Sequence, residues 1–120
     1  MEAMQAGELA IHARGSPGVL ELHWRGRSNA REPSAVIDPY LEQVFKASAL
    51  DGNAVEMHFE ELQYFNSSTI AAVITAIQKA RAGGLRLTLV YSASLKWQRL
   101  SFEALRIFAK PDGLIQLRPV

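Results

Sequence analysis

The chain has 120 residues, a formal net charge of +1, 48% hydrophobic residues and no cysteine. This length and apolar content predict one domain, residues 1–120, with a core of its own. The near-neutral charge argues against a nucleic-acid partner, and the missing cysteines exclude disulfides and thiolate metal sites. No apolar run approaches the roughly 18 residues that a membrane span needs, and no signal-peptide pattern opens the chain. We therefore expect a cytoplasmic protein without a membrane-inserted segment.

The first half of the chain predicts a hairpin followed by a helix. Residues 8–14 and 19–25 alternate between apolar and polar side chains on either side of a Gly-Ser-Pro-Gly turn, which is typical of paired antiparallel strands. Asp38 followed by Pro39 indicates a helix start, because aspartate caps free N–H groups and proline fits the first helical position. Gly52 suits the left-handed conformation that commonly ends a helix.

The second half alternates strands and helices. Its pattern predicts strands at 54–59, 85–91 and 114–117, and helices at about 67–82 and 95–108. The buried side of the last helix is expected to carry Trp97, Leu100, Ala104, Leu105 and Phe108. The complete order, β-β-α-β-α-β-α-β, implies an α/β fold in which helices pack on a mixed, mostly parallel sheet.

Four small polar residues, Asn66, Ser67, Ser68 and Thr69, stand where the second helix is predicted to begin. Asparagine and serine are preferred helix caps, but one such residue is enough to cap a helix. The alternative is a functional hydroxyl cluster, because the N-terminus of a helix favours anions and so suits a bound or attached phosphate. From these residues alone, both interpretations stay open.

A second candidate surface follows the strand at 85–91. Ser92 and Ser94 precede the third helix, and Trp97 lies near its start. In parallel sheets, sites tend to form at the carboxyl ends of the strands, which is where these residues are expected. Trp97 is thus a candidate partner contact, with a core or groove residue as the alternative.

No pattern in the chain predicts an enzyme. It lacks a phosphate loop, a dinucleotide-binding glycine motif and a nucleophile elbow. His12, His23 and His58 are widely separated on predicted strands, so we expect ordinary surface histidines and no metal site. Glu60 and Glu61 point to opposite sides of an extended chain and do not form an acid–base dyad. No cofactor is expected.

The segment from Ala54 to Phe108 resembles the STAS domain, named for sulfate transporters and anti-sigma-factor antagonists. That family has an apolar strand and a short polar link, then an Asp-Ser-Ser-Gly-Leu stretch that opens a helix. Here residues 64–70 read Tyr-Phe-Asn-Ser-Ser-Thr-Ile. A Gly-Gly break and the strand Leu-Arg-Leu-Thr-Leu-Val at 85–90 follow. The predicted hairpin and first helix also fit a STAS-like architecture.

The resemblance implies a non-catalytic bacterial regulator that acts by partner switching in the control of transcription. In anti-sigma-factor antagonists, the serine after the aspartate is phosphorylated by a serine kinase that is also the anti-sigma factor, and a PP2C-type phosphatase reverses the modification. Carried over by motif, the phosphorylated residue is Ser67. The partner-binding surface would contain Asn66, Ser67, Ser68, Thr69, Ser92, Ser94 and Trp97.

The chain departs from the family pattern at two positions. Asn66 replaces the usual aspartate and Thr69 the usual glycine. A related group of bacterial regulatory phosphoproteins carries Asn-Thr-Ser-Ser here, with the first hydroxyl as acceptor, which again selects Ser67. The alternative is a STAS binding module that is not phosphorylated, such as a transporter-associated subunit or a scaffold component.

Overall fold

The computed structural model describes residues 2–120, which contain seven strands and three α-helices. The strands are β1 (Met4–Ala6), β2 (Leu9–Ser16), β3 (Val19–Ser28), β4 (Ala54–His58), β5 (Leu62–Phe65), β6 (Leu87–Tyr91) and β7 (Ile115–Pro119). The helices are α1 (Ser34–Asp51), α2 (Ser67–Ala82) and α3 (Lys96–Ala104), and α3 runs into a 3-10 turn at Leu105–Phe108. None of the helices within this range combines the length and the apolarity that crossing a membrane requires.

All the strands belong to one mixed sheet. Its order is β1-β2-β3-β4-β6-β7, and β5 pairs with the end of β3. The pairs β1–β2 and β2–β3 are antiparallel, whereas β3–β4, β3–β5, β4–β6 and β6–β7 are parallel. The predicted α/β fold with a mostly parallel sheet is thereby confirmed.

The two faces of the sheet differ sharply in polarity. One face carries alternate strand residues such as Leu22, Met57 and Leu89, and it packs against buried side chains of α1, α2 and α3 in one core. The other face carries Glu21, His23, Glu56, His58 and Arg118, all of which are half-buried or exposed. This alternation follows from the two-residue period of a strand, which sends neighbouring side chains to opposite faces. The second face is called the open face below.

Helix α1 begins four residues before the predicted start at Asp38. The N–H groups of Val36 and Ile37 donate to the carbonyl of Pro33, which forms a first turn that the sequence pattern did not indicate. Ile37 is buried in the core, so tertiary packing stabilises this turn. Pro39 consequently lies inside the helix, where it removes a single backbone hydrogen bond. The predicted end at Gly52 is confirmed by its left-handed conformation.

Strand β5 was not predicted, and it exists because β3 is longer than β4. Past His23 the edge of β3 is free, and β5 pairs with its last residues, from Gly26 to Ser28. The pairing register shifts at Gly26, which has a φ of 85°. A Cβ at this position would lie 2.0 Å from the backbone oxygen of Glu8, so only glycine fits. Strand β1, which was not predicted either, adds an antiparallel edge to β2.

The buried side of α3 matches the prediction only in part. Leu105 is buried as predicted, and Trp97 and Phe108 pack against the core. Gln98 and Phe102, which were not predicted there, also face the core, whereas Leu100 is 57% exposed. Ala104 is exposed as well, and Trp97 and Phe108 are half-buried. The apolar pattern did not identify this face because one of its buried residues, Gln98, is polar.

Candidate functional site

The candidate site is the start of α2, here called the cap segment (Asn66–Thr69). It follows β5 directly and lies at the carboxyl ends of the parallel strands, where sites form in open α/β sheets. Asn66 has an extended backbone and is the N-cap, because its side chain accepts the N–H of Thr69. The observed helix, Ser67–Ala82, has the predicted bounds.

Asn66 uses both ends of its side-chain amide. Oδ1 accepts the Thr69 N–H at 2.9 Å, and Nδ2 donates to the Ala30 carbonyl at 2.8 Å. Its backbone N–H donates to the Ser28 carbonyl at 3.0 Å. An aspartate could accept the first bond but could not donate the second. The asparagine therefore fits its surroundings better than the usual aspartate would.

Thr69 is an internal anchor. Its side chain is fully buried, at 0% exposure. Its hydroxyl donates to Asn66 Oδ1 at 2.7 Å and lies 2.6 Å from the Ser28 hydroxyl, from which it can accept. A glycine here would leave the buried Ser28 hydroxyl without this partner. Thr69 was expected on the partner surface, but its burial keeps it from contacting a partner directly.

Ser67 and Ser68 are the outward-facing members of the segment. Both are exposed, and neither hydroxyl makes a hydrogen bond to another residue within 2–120. They occupy the first two helical positions, whose N–H groups have no partner inside a helix. The first turn of α2 contains no acidic residue. The position is therefore accessible and electrostatically favourable for an anion.

The second predicted surface is linked to the cap segment through one aromatic contact. Trp97 is half-buried, and its ring meets the edge of Phe65 with centroids 5.2 Å apart. Phe65 directly precedes Asn66. Ser92 and Ser94 lie 3.0 Å apart, oxygen to oxygen, and share a hydrogen bond in which either can donate. Trp97 thus adjoins the cap segment, while the hydroxyls of the two serines bond to each other.

Gln98 supports this end of the molecule and was missed by the sequence pattern. It is fully buried, and its Nε2 donates to the carbonyls of Phe59 and Leu62 at 2.6 and 3.0 Å. Its Oε1 accepts the backbone N–H of Ser92 at 2.8 Å. One side chain therefore joins the loop before β5 to the loop before α3. Its position four residues before Phe102, on the same helix face, was the available signal.

Comparisons of sequence alone give no relative: no family model and no curated protein matches this chain. Solved structures do match. An anti-sigma factor antagonist from Mycobacterium paratuberculosis has a TM-score of 0.60 and 16% identity over 98% of this chain and 92% of its own. The complex of the diguanylate cyclase SiaD with its activator SiaC, from Pseudomonas aeruginosa, gives a TM-score of 0.65 and 17% identity over 100% of both chains. Unphosphorylated SpoIIAA, an anti-sigma factor antagonist, has a TM-score of 0.56 and 14% identity, and the match covers 78% of this chain and 81% of SpoIIAA.

These similarities extend over 78–100% of the chain. They confirm the resemblance to the STAS domain at the level of fold. The protein has the STAS fold of the anti-sigma factor antagonists.

Proposed function

We propose that the protein is a regulatory module that binds a protein partner through the cap segment, and that phosphorylation of Ser67 controls this binding. The observation that carries the proposal is the contrast inside the segment. Asn66 and Thr69 are fixed by internal hydrogen bonds, whereas the Ser67 hydroxyl is exposed and unbonded to residues 2–120. The fixed residues Asn66 and Thr69 thus hold the helix start in place, while the Ser67 hydroxyl stays accessible to an enzyme or a partner.

The electrostatics suit a switch that changes binding without unfolding the protein. A phosphate adds about −1.5 to −2 charges at neutral pH. At Ser67 it would lie beside free N–H groups at the positive end of α2, with no acidic residue in the first turn. A partner packed against Ser67 would instead have to accommodate a buried or repelled charge. The free-energy cost therefore falls on the complex.

Exposed side chains before the cap segment and before α3 suit contact with a protein. Tyr64 lies two residues before Asn66, is 40% exposed and has the Arg27 guanidinium 5.0 Å from its ring centroid. Leu95, which precedes α3, is 39% exposed. Tyrosine and arginine are enriched in protein interfaces.

The partner that we propose is a serine kinase that also acts as an anti-sigma factor, with a PP2C-type phosphatase restoring the free hydroxyl. The fold match to anti-sigma factor antagonists supports this partner class. SiaC, described as the activator of a diguanylate cyclase, indicates that the fold also serves regulators of other enzymes. In either setting the module acts by binding and performs no catalysis itself.

The test is to recover the full-length protein from its own cells, map phosphate by mass spectrometry and identify co-purifying proteins. We expect phosphate on Ser67, loss of it in Ser67→Ala, and retention of it in the matched control Ser68→Ala. The unphosphorylated form should carry the partner, and the Ser67→Asp variant should carry at least tenfold less. Phosphate on Ser68 instead, or partner binding that ignores Ser67→Asp, would contradict the proposal.

A second candidate is a binding module that is never phosphorylated, such as a transporter-associated subunit or a scaffold component. One observation favours it. Asn66 Oδ1 already accepts two hydrogen bonds from Thr69, so it is not free to orient the Ser67 hydroxyl or to take its proton. The same experiment separates the candidates, since this one expects a bound partner, no phosphate on Ser67 and co-purification with membrane transporter subunits or scaffold proteins.

A further inference from the structure

The open face of the sheet brings together two histidines and three glutamates that are far apart in sequence. Strands β3 and β4 run parallel, with Glu21 opposite Glu56 and His23 opposite His58. Because side chains two residues apart on a strand share a face, all four point to the same side. Glu60 follows β4 and comes within 3.4 Å of His58. These five residues are called the histidine cluster.

The nitrogen and oxygen atoms of the cluster converge. Glu21 Oε1 lies 2.9 Å from His23 Nε2 and 3.8 Å from His58 Nε2. One ligand atom from each of these three residues falls within 4.8 Å of the other two. In a tetrahedral zinc site, ligand atoms about 2.1 Å from the metal lie roughly 3.4 Å apart. The observed spacing brackets this value, so small side-chain rotations would suffice to form a site.

The cluster has more acceptors than a neutral imidazole pair can satisfy. His58 has Glu56 Oε1 at 3.0 Å from Nε2 and Glu60 Oε1 at 3.4 Å from Nδ1. A neutral imidazole carries one N–H, so one of the two carboxylates faces a bare lone pair. The His23 and His58 rings stack with their centroids 4.6 Å apart, so the nitrogen atoms of the two rings lie close together. A single divalent cation at the Nε2 atoms would supply a positive charge to the surplus carboxylate oxygens.

The burial of the Glu60 carboxylate adds to this argument. Its Oε1 is buried and has no hydrogen-bond partner among residues 2–120. A metal on His58 Nε2 would fix the proton on Nδ1, which would then donate to this oxygen. Carboxylate–histidine–metal arrangements of this kind commonly orient the ligating ring.

We propose that the open face binds one divalent metal ion of the zinc class through Glu21 Oε1, His23 Nε2 and His58 Nε2, with the fourth position open to water or another ligand. Two imidazole nitrogens and one carboxylate oxygen form a ligand set that suits zinc and its transition-metal neighbours better than magnesium or calcium. Glu60 is the positioning residue for His58. The site shares no residue with the cap segment and is independent of the proposed phosphorylation.

The surrounding charges leave the site able to accept a cation. Arg118 donates to Glu56 Oε1 at 3.2 Å, so its charge is already paired with a carboxylate outside the three proposed ligands. Arg25 pairs with Glu61 at 2.6 Å.

The test uses the full chain stripped with a chelator, then titrated with zinc by calorimetry and with cobalt by visible spectroscopy. We expect one ion per chain, tetrahedral cobalt absorption and a melting temperature that rises with zinc. His23→Gln and His58→Gln should each weaken binding at least tenfold. Glu60→Gln should weaken it about 10- to 100-fold through the orientation of His58.

His12 provides the matched control. It lies on β2 directly opposite His23, on the same face, but outside the group of converging atoms. His12→Gln should bind zinc within twofold of the wild type. Metal-free melting temperatures show whether each variant folds, and NMR shifts on adding zinc should concentrate in β3 and β4. Absence of saturable binding, or equal losses in His12→Gln and His23→Gln, would overturn the assignment.

Discussion

Strand β3 contributes Ser28 to the bonds of the cap segment and two residues to the histidine cluster, yet the polar atoms of the two regions are satisfied in opposite ways. Past Gly26, Ser28 joins Thr69 and Asn66 in a closed set in which each buried donor meets an acceptor. Before Gly26, Glu21 and His23 join a set with surplus carboxylate oxygens. The first set rigidifies the end of the sheet, and the second leaves acceptors for an added cation or proton.

Buried polar groups are nearly always paired, so the number of unpaired ones helps to separate scaffold from site. In the cap segment the side-chain groups that remain free among residues 2–120 are the hydroxyls of Ser67 and Ser68, and both face solvent. Any modification or partner contact at this segment is therefore expected at its exposed side chains. In the histidine cluster the unpaired atom, Glu60 Oε1, is buried. The buried hydroxyls of Ser28 and Thr69 at the end of β3 are therefore paired, whereas the histidine cluster keeps a buried carboxylate oxygen without a hydrogen-bond partner in the part of the chain that the structure describes.

Gly26→Ala should disrupt both regions at once, with the largest effect of the changes considered. Gly26 has a φ of 85°, and a Cβ would meet the Glu8 backbone oxygen at 2.0 Å. Strain of this kind plus the clash should lower the free energy of unfolding by about 3–5 kcal/mol. Urea denaturation measures the change. Gly15→Ala is the control, because Gly15 has open space and no positive φ; equal stability of the two variants would show that β3 does not need its bulge.

Thr69→Val tests whether the cap segment is a closed hydrogen-bonded set. Valine keeps the volume but leaves the buried Ser28 hydroxyl without its 2.6 Å partner. The free energy of unfolding should fall by about 1–3 kcal/mol. Ser68→Ala removes an exposed hydroxyl from the same turn and should change it by about 0.5 kcal/mol or less. A stable Thr69→Val protein would mean that the buried hydroxyls have other partners, such as water.

Asn66→Asp tests why this chain departs from the usual aspartate. The carboxylate keeps the cap to Thr69 but loses the 2.8 Å bond to the Ala30 carbonyl and faces its oxygen. That loss should cost about 1–2 kcal/mol. The favourable interaction of the new charge with the helix dipole should offset about 0.3–1 kcal/mol of this cost. The free energy of unfolding, measured by thermal denaturation, should therefore fall by about 1 kcal/mol. A stabilised variant would show that the dipole outweighs the amide bond.

Features with local causes could be predicted from the sequence. Helix α2 was predicted with its observed bounds because its cap, its apolar stripe and its Gly-Gly stop all lie within or beside it. The cap role of Asn66 and the exposure of Ser67 follow from the same local pattern. The general α/β order was predictable for the same reason, since each strand and helix has its own period.

Features that depend on distant partners could not be predicted. Thr69 is buried because Ser28, 41 residues earlier, lies beside it. Gln98 bonds carbonyls 36 and 39 residues away. His23 and His58 meet only because β3 and β4 pair in one particular register, which no periodicity specifies.

Ser67→Asp should change the free energy of unfolding least, and whether it raises or lowers that free energy tests the switch. A carboxylate in the first turn of α2 should raise the free energy of unfolding by about 0.3–1 kcal/mol at low salt. The gain should shrink at high salt, because an exposed charge is screened. Ser16→Asp, in the hairpin turn, should show no comparable gain. Destabilisation by Ser67→Asp would contradict the proposal that a negative charge at Ser67 leaves the fold intact. A phosphate there would then affect folding as well as the binding of a partner.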